Sequence, residues 1–102
     1  MGLFFGPSAK TKAEAERARR SCATKSTALH QCVHINGVAA CARLASDFDF
    51  CRASRVSACE KAADAFDKCT RKNVNWTGLP EDAPSCEREL KAMRKCLRRN
   101  KA

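Results

Sequence analysis

Cys41-ARLASDFDF-Cys51, residues 41 to 51, decides the fold. Nine residues without Gly or Pro separate two cysteines, and Cys41, Leu44 or Ala45, Phe48 and Cys51 recur at the three- and four-residue steps of a helix. Ten residues of α-helix advance about 15 Å and turn about 1000°, which leaves the two thiols about 80° apart on one broad face. The same spacing separates Cys22 from Cys32, Cys59 from Cys69 and Cys86 from Cys96, so C-x9-C occurs four times and uses all eight cysteines.

Two antiparallel helices with equal cysteine spacing meet at both levels, and two bridges form as rungs. Unequal spacing would leave one pair beyond the ~7 Å Cα separation that a disulfide tolerates. The ladder predicts Cys32–Cys41 beside the turn and Cys22–Cys51 at the open end of a first hairpin, then Cys69–Cys86 inside and Cys59–Cys96 outside in a second. The expected fold class is all-α: two disulfide-stapled antiparallel helical hairpins in tandem. Shared zinc is a poor alternative, because sulfurs ~15 Å apart on one helix cannot both lie ~2.3 Å from one ion. Zinc spacings of C-x2-C to C-x4-C do not occur, nor does a close redox pair. A site of Cys32 and Cys41 with His30 and His34 is conceivable at the hairpin tip, but both His read better as exposed helix-end residues. The cysteines are therefore read as structural, with no metal and no cofactor expected.

Working outward, residues 1–11 read as an extended arm with the apolar tip Leu3-Phe4-Phe5, followed by a first hairpin over 12–55 and a second over 56–102. The first helix is expected from about Lys12 to His34, with Asn36-Gly37 as the turn. No Gly or Pro follows until Gly78, yet Ser57-x-x-Glu60 has capping-box form, and a break near 53–57 is favoured over one long helix. Residues 73–85 (NVNWTGLPEDAPS) form the clearest loop, with Ser85 placed to cap the last helix and Trp76 expected to pack over the second hairpin. Cys86, Leu90, Met93 and Leu97 supply that helix's apolar stripe.

The 102 residues carry a net charge of +9, an aromatic content of only 6% and no Tyr, so the core must be thin and four bridges would compensate for it. From residue 88 to the end there are seven Lys or Arg against Glu89 alone, a surface suited to anionic lipid, RNA or an acidic protein face. Leu3-Phe4-Phe5 is the longest markedly greasy stretch, far below the ~20 residues of a membrane span and the ~7–15 of a signal-peptide core. No phosphate loop and no nucleophile with a matching base is present, and Asp47, Asp49, Asp64 and Asp67 read as solvated helix-face acids, so no enzyme is expected.

Disulfides need an oxidising compartment, and a secretory signal is not expected here. The four cysteine pairs resemble those of the twin C-x9-C, coiled-coil-helix-coiled-coil-helix family over residues 22–96. The resemblance implies import into the mitochondrial intermembrane space and oxidative trapping there by a resident oxidoreductase. It also implies a docking signal of apolar residues ahead of a cysteine, matched by Leu44, Phe48 and Cys51 and in part by Phe66 before Cys69. The double, four-motif layout is similar to that found among accessory subunits of respiratory complex I. The expected role is a non-catalytic structural subunit of an inner-membrane respiratory complex, on the intermembrane-space side. Leu3, Phe4, Phe5, Lys91, Arg94, Lys95, Arg98 and Arg99 are the expected contacts with protein partners or anionic lipid. A mitochondrial ribosomal protein binding RNA through the basic tail, and a respiratory assembly factor, are the alternatives.

Overall fold

The structure, a computed structural model, describes the backbone of residues 7–100 and the side chains of residues 22–100. Among the described residues four α-helices run in the order α1 (Pro7–Asn36), α2 (Ala42–Ala53), α3 (Glu60–Lys72) and α4 (Glu87–Arg99), with 3₁₀ turns at Ala39–Cys41 and Ser57–Cys59. The described residues form no strand, and none of their helices is long and apolar enough to cross a membrane. The all-α fold of stapled hairpins is as expected: α1 packs on α2, and α3 on α4.

The reading of residues 1–11 as an extended arm does not hold for residues 7–11, which are helical. Pro7 begins the described part of α1, and its fixed φ suits a helix. The Ala, Lys and Glu residues that follow are strong helix formers and carry the segment forward. Residues 1–6, with Leu3, Phe4 and Phe5, lie outside the described residues.

The break between the hairpins falls where expected, but its cause differs. Ser57 makes no side-chain cap to either the 3₁₀ turn or α3. Instead the chain tightens after α2, with Arg55 N–H donating to Arg52 O and Val56 N–H to Ala53 O, each at 3.1 Å. Val56 then adopts an extended backbone (φ −110°, ψ 113°) and redirects the chain. Redirection lets α3 and α4 pack on a second face of α2, which a continuous helix would leave in water.

The second hairpin carries its own punctuation. Cys59 and Cys86 stand at the N-caps of α3 and α4 with nearly the same backbone (φ −105°). Asn73 and Asn100 end these helices, also with nearly identical dihedrals. Each Asn amide donates back to a carbonyl, of Cys69 or Cys96, at 2.9 Å, satisfying a helix-end acceptor that would otherwise need water. Ser85 stands one residue before the N-cap, and from there its Oγ accepts the Glu87 N–H at 3.0 Å, the capping bond the sequence suggests.

The core is lopsided. Cys59, Ala63, Phe66, Trp76, Cys86, Leu90, Met93 and Leu97 of the second hairpin are buried together, and the first hairpin adds Ala53 with Phe50 packed alongside. Among the described side chains, Cys22 and Cys41 are the buried apolar residues between α1 and α2. Two bridges join α1 to α2, and α2 in turn docks on α3 and α4.

Candidate functional site

The disulfide ladder is built from helix ends. Cys22–Cys51, Cys32–Cys41, Cys59–Cys96 and Cys69–Cys86 are joined, with Cα separations of 5.6, 6.0, 5.7 and 5.9 Å. This is the expected pairing of all eight cysteines. The first cysteine of every motif (Cys22, Cys41, Cys59, Cys86) is buried, while the second (Cys32, Cys51, Cys69, Cys96) is half-buried. Each rung thus has one sulfur in the interior and one toward solvent. Leu44 and Phe48 lie between Cys41 and Cys51 on the α2 face that meets α1, and both are half-buried. The Arg52 guanidinium sits 5.5 Å from the Phe48 ring centroid, within cation–π range.

Cys32 and Cys41 are bonded to each other, so neither offers a free thiolate beside His30 and His34. Both His are exposed, and the His30 ring is engaged with Ser26 O at 2.9 Å. Among the described residues no group of three or more His, Cys, Asp or Glu side chains converges as a metal site would.

The seam between hairpins is the second functional element. Arg43, Ser46, Phe50 and Ala53 recur at helical steps and give α2 a second face, on which Ser46 and Ala53 are fully buried. Arg43 donates to Trp76 O at 2.8 Å, and its guanidinium lies 6.0 Å from the indole centroid. Trp76 in turn donates from Nε1 to Leu79 O at 2.9 Å and meets Phe66 edge-on, with centroids 6.1 Å apart. Phe66 also contacts Phe50 at 6.1 Å. Trp76 therefore packs over the second hairpin as expected, and clamps the first to it as well. Gly78 (φ +94°) brings the 73–85 loop onto the start of α2: a Cβ there would lie 2.5 Å from Ala42 C and Arg43 N.

At the other end of the seam, Asp49 corrects the sequence reading. Its carboxylate is only 16% exposed and accepts from Arg94 Nε at 2.6 Å and Arg52 Nη1 at 3.2 Å. Asp49 is thus a cross-hairpin anchor, not a solvated acid. Asp47, Asp64 and Asp67 do lie on helix faces, paired at i,i+4 with Arg43, Lys68 and Arg71. Arg94, an expected partner contact, gives its Nε to Asp49 of the first hairpin while its side chain stays 38% exposed. Lys91, Lys95, Arg98 and Arg99 are exposed, with Lys91 3.7 Å from Glu87.

Arg43, Arg52 and Arg55 were not among the expected contact residues. For Arg43 the signal is faint, because a helix buried on two sides shows no single apolar stripe; Arg52 and Arg55 are exposed, and Arg55 lies beyond the end of α2. No protein-family model, curated protein or solved structure matches the chain.

Proposed function

We propose that this chain is a twin C-x9-C protein of the mitochondrial intermembrane space, serving as a non-catalytic structural subunit of an inner-membrane respiratory complex, with complex I the first candidate. The observation that carries the proposal is the ladder: four motifs of equal spacing, all eight cysteines consumed, every bridge between antiparallel neighbours. Such bridges stabilise a small domain by about 2–4 kcal/mol each and require an oxidising compartment. A scaffold with a thin core and a rigid covalent frame suits bracing between subunits better than chemistry. In this reading Leu44 and Phe48 guide Cys51 to the import oxidoreductase before folding carries them between the rungs against α1. The exposed Lys91, Lys95, Arg98 and Arg99 are offered to acidic subunits or anionic lipid.

The test is native. Organelles from the source cell are fractionated, thiols are blocked without reduction, and the protein is followed through native electrophoresis and density sedimentation. Blocked thiols only after reduction, protection that ends when the outer membrane is ruptured, and stoichiometric migration with a respiratory complex are the expected results. Salt-sensitive sedimentation with mitochondrial ribosomes would replace this reading with the RNA-binding one. Transient association alone would point to an assembly factor. Free thiols in the native protein would remove the basis for both compartment and role.

A further inference from the structure

Where α2 ends beside the last turns of α4, a half-open groove of about 740 Å³ is lined by Asp49, Arg52, Arg55, Arg94, Arg98 and Asn100, with Val56 and Leu97 as its apolar part. Every cation lining it is an arginine, although Lys91 and Lys95 occur on the same α4 helix. Some of this positive charge has a local purpose. Asp49 neutralises one unit, and the carboxyl ends of α2 and α4 together present about one negative unit. Four guanidiniums therefore leave an excess of roughly two positive charges. Among the described residues neither Arg55 nor Arg98 forms an ion pair, and both are exposed.

We infer that this groove binds an acidic, extended peptide segment of a partner protein, with carboxylates held by Arg55 and Arg98 and an adjacent apolar side chain laid on Val56 and Leu97. The groove already displays the mode of recognition: the Asp49 carboxylate is gripped between the Arg94 and Arg52 guanidiniums. Arginine's planar fork matches carboxylate geometry and loses little hydration on pairing, which a lysine ammonium does not reproduce. The volume falls within the ~300–1,000 Å³ of sites that enclose a ligand. Its concave shape admits a chain segment and not a flat bilayer. The apolar part adds affinity only for a ligand that carries apolar side chains between its charges. The groove is a property of the folded chain, so the inference goes beyond the proposed subunit role and stands whatever the compartment.

The experiment uses the full, oxidised chain and a fluorescein-labelled peptide alternating Glu with Leu and Phe, read by anisotropy. A matched peptide with Gln for Glu controls for charge. Arg55→Gln with Arg98→Gln is expected to weaken binding by about tenfold or more, the scale of losing charge-assisted hydrogen bonds. Lys61→Gln with Lys72→Gln, which removes equal charge from exposed positions outside the groove, should change it by less than about twofold, the size of a screened surface-charge effect. Circular dichroism and bridge mapping confirm that both variants fold. Arg55→Lys with Arg98→Lys should restore only part of the affinity. Equal losses in the Gln pairs would overturn the groove in favour of a diffuse basic field, as would absence of peptide binding. A site that ignores the peptide but takes up phosphatidylcholine vesicles only when they contain phosphatidylglycerol, with dependence on Arg55 and Arg98, would overturn it in favour of a lipid headgroup.

Discussion

Gly78→Ala is expected to loosen the docking of the two hairpins, and Gly37→Ala provides its control. Both glycines have positive φ, +94° and +86°. A Cβ in that region costs about 1–2 kcal/mol, offset by about 0.4–1 kcal/mol through a less flexible unfolded chain. At Gly37 nothing lies within 4 Å of the added Cβ, so the net loss should be about 0–1.6 kcal/mol. At Gly78 the Cβ would meet Ala42 C and Arg43 N at 2.5 Å and Ala42 O at 2.8 Å. These are backbone atoms of a helix start and cannot rotate away. Overpacking of this kind adds about 1–3 kcal/mol beyond the loss at Gly37, for a total of about 1–5 kcal/mol. Chemical denaturation of the oxidised protein gives the comparison, followed by far-UV circular dichroism for the helices. Trp76, the only Trp in the chain, reports on the loop by fluorescence. The Trp76 transition of Gly78→Ala should move earlier than its helical transition, because the loop lifts from α2 before the stapled hairpins melt. Equal destabilisation by the two substitutions would refute the close approach of loop and α2, and with it the clamp at Trp76.

Asp49→Ala should cost about 1–2 kcal/mol, the lower range for charged hydrogen bonds because Arg94 and Arg52 are 38% and 49% exposed; a double-mutant cycle with Arg94→Ala should recover most of it, and additive losses would contradict the pairing. Phe66→Ala removes a side chain that is 1% exposed at the crossing of Phe50 and Trp76, so about 3–5 kcal/mol is expected by denaturation, against a smaller loss for the half-buried Phe48→Ala. Replacing Cys59 and Cys96 by Ser releases a loop with a sequence separation of 37 and should lower stability by about 3.9 kcal/mol on loop-entropy grounds; Cys32 with Cys41, separated by 9, should cost about 2.7 kcal/mol. The reverse order in unfolding experiments would show that native packing around the rungs outweighs loop closure.

The ladder was legible from one sequence because disulfide geometry and helix geometry are both rigid. A C-x9-C interval fixes two thiols on one face at a set rise, and an antiparallel partner of equal interval is then the arrangement that satisfies every cysteine at once. The amphipathic α4 stripe of Cys86, Leu90, Met93 and Leu97, the cap at Ser85 and the burial of Trp76 followed from local periodicity and turn chemistry in the same way. What the linear pattern could not carry was the relation between the hairpins. α2 is apolar toward α1 through Cys41, Leu44, Phe48 and Cys51, and is covered again through Arg43, Ser46, Phe50 and Ala53, so its two stripes blur each other. Asp49 looks like any surface acid until α4 places Arg94 against it, and Gly78 looks like any loop glycine until the loop lies on Ala42. Such pairings join residues 31 to 45 positions apart, as Arg43 with Val74 and Asp49 with Arg94 do. Local periodicity sets which residues share a face, but only the packed chain decides which faces meet.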